Sequence, residues 1–132
     1  MVCGMTMNEQ APATPRQALG RYGEDLAVRY LREELGWIIL ARNWRCAHGE
    51  IDILARDGAD LVVVEVKTRR GTGFGEPVEG VDWRKLARLR RLAVAAAEER
   101  AGLPCPLRID VVGVLRPPTG PAKVRHVQAV GS

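Results

Sequence analysis

The feature that most constrains this chain is the run from Gly49 to Thr68. Ile51–Arg56 alternates apolar and polar side chains. Leu61–Lys67 is Val-rich, with Glu65 and Lys67 two positions apart. Between them, Asp57-Gly58 supplies turn chemistry, since Gly accepts positive φ and Asp tolerates it. The run therefore reads as two antiparallel strands joined by a tight turn. A two-residue loop Gly58-Ala59 pairs Asp57 with Asp60, and a four-residue loop pairs Arg56 with Leu61. Both give one ladder, in which Asp52 faces Glu65 and Glu50 faces Lys67. Side chains alternate along a strand, so Glu50, Asp52, Glu65 and Lys67 are expected on one face. Opposed Cβ atoms lie about 4.5–5.5 Å apart. Two carboxylates that close repel unless a proton or a cation separates them. A divalent ion bound by oxygen, Mg²⁺ or Mn²⁺, answers that need. A loop of three or five residues would turn one strand over and dissolve the arrangement.

Composition adds a second constraint. The 132 residues suffice for one core, and the net charge of +4 favours a polyanionic partner. Of the 20 basic residues, only Lys67, Lys85 and Lys123 are lysine, which leaves 17 arginines. In a chain that uses Arg by default, Lys67 within a strand points to a need for a compact, pKa-tunable ammonium. Cys3, Cys46 and Cys105 form no CxxC pair. They read as reduced thiols of a cytoplasmic protein, not as a zinc site or disulfide scaffold. No apolar run reaches the roughly 20 residues that span a bilayer, and no basic-then-apolar leader is seen.

Taken in order, residues 1–13 form a polar tail expected to be disordered, and 14–132 a single domain. Thr14-Pro15 reads as an N-cap and first helical residue. The helix should run to about Leu35, stop at Gly36, and bury a stripe of Leu19, Tyr22, Leu26 and Tyr30. Glu24 lies off that stripe, beside Gly20, Ala27 and Leu31, either as a surface carboxylate or as part of the acidic site. Trp37–Trp44 is a predicted strand, and Arg45–His48 a connection. His48 reads as a solvated loop side chain, with an assisting role at the acidic face as the alternative. Arg69–Pro77 is Gly-rich and basic, a loop whose Arg69, Arg70 and Phe74 are candidates for contact with a phosphate backbone or a base. Asp82 caps a helix over Trp83–Arg100, closed by Gly102 and Pro104. Its Leu86, Leu89, Ala93 and Ala96 face the core, and Arg84, Arg88 and Arg91 form an outer stripe, either solvated or in contact with nucleic acid. Leu107–Leu115 and Val124–Val130 are the last strands. Asp110 interrupts an apolar strand, and His126 is expected on an exposed face.

The order is αβββαββ, and the helix between the third and fourth strands implies a parallel pair. The expected fold is an α/β mixed sheet flanked by helices, with Asp52 and Glu65 as metal ligands. Lys67 would orient a water or stabilise charge on a phosphate, and Glu24 would complete the shell.

The motifs Gly23-Glu24-Asp25-Leu26-Ala27, Ala41-Arg42-Asn43-Trp44-Arg45, Gly49-Glu50-Ile51-Asp52, Val64-Glu65-Val66-Lys67-Thr68-Arg69 and Arg108-Ile109-Asp110-Val111-Val112 resemble, in order, those of the YraN family of small bacterial proteins. That family is similar to the PD-(D/E)xK nuclease superfamily, although Ile51 stands where the superfamily's name has Pro. The resemblance implies a restriction-endonuclease-like fold and a nuclease core of Asp52, Glu65 and Lys67, with Glu24 from the first helix. The expected activity is Mg²⁺- or Mn²⁺-dependent cleavage of DNA, including branched or damaged DNA, for which a symmetric homodimer would suit cutting of two strands. The alternative is a non-catalytic nucleic-acid-binding module that keeps the fold.

Overall fold

The computed structural model describes residues 12–71, 81–100 and 105–131. Helix α1 (Pro15–Arg29) continues into a wider π-helical turn (Tyr30–Glu34). Strands β1 (Ile38–Cys46), β2 (Gly49–Asp57) and β3 (Asp60–Arg70) follow, then helix α2 (Trp83–Glu99) and strands β4 (Leu107–Arg116) and β5 (Lys123–Val127). This is the expected αβββαββ order. One five-stranded sheet holds the strands in sequence order, with β3 and β4 parallel and the other pairs antiparallel. The expected tail up to residue 11, the loop beyond Gly71 with its Phe74, and the stop at Gly102 and Pro104 lie outside the described residues.

The hairpin has the register its turn chemistry implies. Asp57 pairs with Asp60 and Arg56 with Leu61, and Gly58 takes a φ of 59° that most side chains avoid. The Val-rich strand β3 is central, so both its faces are covered. Val62 and Val64 pack under α1 with Ile53 and Ala55. Leu61 and Val63 pack under α2 with Leu54, Leu89 and Leu92. Each fully buried Leu or Val contributes about 1.5–3 kcal/mol of transfer energy.

Helix α1 starts on a capping box. Thr14 Oγ1 accepts the Gln17 N–H at 3.1 Å, and the Gln17 side chain accepts the Thr14 N–H at 3.0 Å. Its buried face differs from the expected stripe. Leu19, Tyr22, Leu26 and Tyr30 are only half-buried, whereas Gly23, Ala27 and Leu31 are covered, together with Val28. The cause is a close approach of the backbone. A Cβ at Gly23 would stand 1.8 Å from Thr68 Oγ1 of β3, so the helix lies on its small residues and brings Glu24 down with them. Gly23→Ala is expected to cost about 1–3 kcal/mol through overpacking, read as a lower urea midpoint at unchanged m-value. Thr68→Ala should restore only part of it, because the Thr68 Cβ would itself be 2.8 Å away. An unaltered midpoint would refute the close approach.

Two further expectations are corrected. Strand β5 ends at Val127 rather than Val130. Ala129 turns the chain with φ 55° and donates its N–H to Asp110 Oδ1 at 3.0 Å. His126 is not exposed, since its side chain keeps only 6% accessibility. It bonds Asp110 Oδ2 at 2.8 Å and the Tyr30 hydroxyl at 2.9 Å, and Trp37 packs edge-on to it. Period-two alternation set His126 beside Val124 and Gln128, but Tyr30 of the π-helical turn and Trp37 cover that part of the strand. Asp110 itself is fully buried. Burial would raise its pKa, but hydrogen bonds from His126, Arg108 and Ala129 outweigh this and hold it below the ordinary carboxylate value.

Candidate functional site

The site is built on a fork in the sheet. The β2–β3 ladder runs from Asp57↔Asp60 to Ile53↔Val64 and goes no further. Beyond that point β2 stays with β1 as far as Cys46↔Gly49, and β3 stays with β4 as far as Arg70↔Arg116. Asp52 sits at the crotch. In place of a backbone partner, the Val66 N–H donates to Asp52 Oδ2 at 2.9 Å. Asp52 and Glu65, expected directly opposite, are thus the first residues past the last rung.

The fork also breaks side-chain alternation. Ile51 packs with the α2 cluster and Ile53 with the α1 cluster, although residues two apart in a regular strand share a face. On β1 the pairs Arg42↔Ile53 and Trp44↔Ile51 flank Asn43, whose φ is 51°. This irregularity corrects the expected shared face. Glu50 does not oppose Lys67. It pairs with Arg45 at 3.6 Å and lines an open groove of ≈ 570 Å³ with Arg21, Glu24, Arg42, Asn43 and Arg45. Glu65 lies toward α2, where Lys85 Nζ approaches Glu65 Oε2 to 2.6 Å.

Asp52 therefore stands between two acidic neighbourhoods. Burial, then the adjacent Glu65 charge, raises its pKa to about 7; Glu24 and Glu50 add to this and the Val66 hydrogen bond opposes it. Glu24 is also raised, chiefly by burial, with the Arg42 charge and a hydrogen bond to Asn43 in opposition. Arg42 Nη2 lies 3.9 Å from Glu24 but 2.7 Å from Asp25, so Asp25 takes most of its charge. Lys67 is lowered, first by burial and then by the Lys85 charge. Asp52 thus feels the charges of Glu65 and Glu24, and Lys67 those of Glu65 and Asp52.

The donor set fits a divalent cation in one respect. A carboxylate pushed toward neutrality by burial and a second carboxylate is relieved when a dication replaces the shared proton. Among the described residues, no group of three or more His, Cys, Asp or Glu converges as a metal cage. Asp52 and Glu65 would supply two ligands, which suits Mg²⁺, an ion bound through one or two carboxylates plus waters and phosphate oxygens.

Arg69 and Arg70 are exposed at the end of β3, and Arg84, Arg88 and Arg91 are exposed along α2. Arg88 reaches the tip of the β1–β2 hairpin, since its Cδ would lie 3.7 Å from a Cβ on Gly49. His48 is exposed and lines a groove with Arg91, Val94 and Glu98 instead of joining the acids. Sequence reasoning did not single out Lys85, Arg42 or Asn43. The lysine count held a signal for Lys85, because Lys85 contacts Glu65 and Lys67 feels its charge. An Asn in the left-handed region is a recognised tolerance, but nothing local marks Asn43 as the place where alternation breaks. Cys46 and Cys105 are free thiols. No helix among the described residues is long and apolar enough to cross a membrane.

Residues 23–114 match the family described as "Uncharacterised protein family UPF0102". A UPF0102 protein of Frankia alni is 53% identical over 86% of this chain and 93% of its own length. One from Nocardioides sp. is 49% identical over 95% of this chain and 100% of its own. One from Acidothermus cellulolyticus is 65% identical over 67% of each. Among solved structures, the chain is similar to one titled "Structure of EndoMS-dsDNA2 complex", with a TM-score of 0.40 and 20% identity over 87% of this chain and 42% of that one. A likeness that loose bears on neither fold nor activity.

Proposed function

We propose that this chain, which belongs to the UPF0102 (YraN) family, is a divalent-metal-dependent nuclease hydrolysing phosphodiester bonds in DNA. One observation carries the reading. Asp52 is held at the fork against Glu65 with its pKa raised to about 7, and Lys67 and Lys85 stand beside the pair. Stability alone gives no reason to crowd acids in a half-buried cleft, since replacing them by apolar groups would relieve the strain. Asp52 and Glu65 are the proposed ligands. A bound ion would polarise the phosphodiester and acidify a water.

The chain's own residues supply the rest. The Val66 N–H fixes the orientation of Asp52. Burial and the neighbouring Lys85 lower the pKa of Lys67, and its ammonium would stabilise charge on the phosphate. Glu24, its pKa raised chiefly by burial, lines the neighbouring groove from α1 and adds its charge to the field at Asp52. The arginines form two basic flanks. Arg21, Arg42 and Arg45 line the groove beside Glu24, and Arg84, Arg88 and Arg91 follow α2, with Arg69 and Arg70 at the end of β3. Such flanks suit the phosphate backbone and carry no base specificity.

The second reading, a non-catalytic DNA-binding module, is favoured by the Lys85–Glu65 contact, which already neutralises one proposed ligand. Incubation of labelled linear, nicked and four-way DNAs with Mg²⁺ or Mn²⁺ separates the two. Ion-dependent cleavage that Glu65→Gln removes is the expected result. Wild-type protein inert on every substrate, yet binding DNA with a steep salt dependence, would select the binding module.

A further inference from the structure

Lys85 is a positive charge already standing where a metal ligand is proposed. Its Nζ lies 2.6 Å from Glu65 Oε2, in a pair that is largely shielded, with side-chain accessibilities of 27% and 14%. Lys85 sits in the first turn of α2, where its own N–H is held by Asp82 Oδ1 at 3.0 Å. The base of the side chain is therefore fixed, while its four-carbon stem and ammonium remain free to turn. Lys67 already places one cation on β3 beside Glu65. The second cation comes from a separate element, and the chain uses lysine, not its usual arginine, at both positions. Guanidinium would hold a carboxylate through two hydrogen bonds in a rigid fork, whereas ammonium makes a single-point contact that is easily exchanged.

We infer that Lys85 is a resident counter-cation of the metal-free site, occupying Glu65 until a divalent ion displaces it. The inference rests on the nuclease reading and goes beyond it by adding a control on metal entry. A dication bound to Glu65 and an ammonium at 2.6 Å from the same carboxylate repel one another, so the two occupancies compete. Without the ion, Lys85 neutralises Glu65 and holds its side chain toward α2. With the ion bound, the ammonium swings out of the contact. Lys85 is thus a positioning residue acting through Glu65, and the metal-free protein is a resting state with its ligand masked.

The test is calorimetric titration of Mn²⁺ into the full chain without DNA, at pH 8, for wild type, Lys85→Met, Lys85→Gln and Lys85→Arg. Removing the competing charge should tighten Mn²⁺ binding about tenfold in the Met and Gln variants, the size expected for one partly shielded charge pair. Lys85→Arg keeps a cation on Glu65 and should bind no more tightly than wild type. A merely structural lysine would give the opposite pattern, with a lower Tm and weaker Mn²⁺ binding in the Met and Gln variants. The Gln variant, a polar side chain of similar reach, secures the comparison if Lys85→Met does not fold. Wild-type binding that is not tightened by either substitution overturns the counter-cation and leaves the nuclease reading intact. No Mn²⁺ signal in any of the four proteins overturns both.

Discussion

Asp52→Asn is expected to abolish metal-dependent cleavage and, in metal-free buffer at pH 8, to make the protein more stable. The loss of activity should be at least about a thousandfold, because the substitution removes a proposed ligand and the charge that holds the ion. The gain in stability follows from the raised pKa. Asp52 keeps its proton in the folded state up to about pH 7, while its unperturbed value is 3.8. Between these limits the folded protein binds more protons than the unfolded chain, so stability falls as pH rises. The contribution is fully present below about pH 4, is lost progressively through pH 7, and is absent above it. Asn resembles the protonated acid and can still accept the Val66 N–H, so Asp52→Asn should be flat across that window. The two proteins should melt together near pH 4. They should diverge to on the order of 1–2 kcal/mol at pH 8, a Tm gain of roughly 5 °C, after allowance for the solvent that still reaches the cleft. Mn²⁺ should reverse the order. It stabilises wild type by about 2.7 kcal/mol at a hundredfold excess over Kd and leaves the variant unmoved. An Asp52→Asn protein that cleaves as wild type, or melts lower at pH 8 and shows no pH-dependent crossover, would remove Asp52 from the proposed centre.

What the sequence discloses about this site depends on how local the determinant is. Asp57-Gly58 fixed a two-residue loop, and that loop set the register from Asp57↔Asp60 to Ile53↔Val64 by local chemistry alone. The acidic pair just past that last rung follows from the same counting. The common face of all four charged residues does not, because alternation fails at Asp52 and Asn43. That failure depends on β2 and β3 holding different neighbours beyond Val64, which is a property of the whole sheet. Glu50 thereby goes to Arg45 and the α1 groove, and Lys85 takes the place at Glu65. The buried face of α1 escaped for a related reason. A hydrophobic stripe predicts which large side chains are covered, but Gly23 on Thr68 shows that backbone contact can select the small ones. His126 is covered by Tyr30 of the π-helical turn and by Trp37, which alternation within one edge strand does not disclose.

The second large effect is expected at Arg108, far along the sheet from the fork. Its Nη1 lies 3.0 Å from both Asp57 Oδ2 and Asp60 Oδ2, its Nε and Nη2 hold the two oxygens of Asp110 at 3.0 and 3.1 Å, and its guanidinium stacks over Trp37 at 5.1 Å. One side chain thus ties the hairpin turn to β4 and neutralises a carboxylate with no solvent exposure. Arg108→Met keeps the stem volume and removes the charge, leaving Asp110 with His126 and the Ala129 N–H. Breaking such a buried pair costs about 3–5 kcal/mol, which is a large share of the stability of a domain this size. Asp110 has a folded pKa below its ordinary value, so its contribution is present above the ordinary carboxylate pKa and is lost as pH falls through the folded one. The penalty in Arg108→Met should therefore be greatest near neutrality and shrink in acid, where a protonated Asp110 no longer needs a cation. Urea titrations at pH 7 and pH 3.5 read this directly, and equal losses at both would assign Arg108 to packing on Trp37 rather than to charge. Because Arg108 holds both turn acids, relaxation of the hairpin should also be felt at the fork. Cleavage is expected to fall in Arg108→Met at temperatures where the protein is still folded, although residue 108 touches none of the proposed ligands.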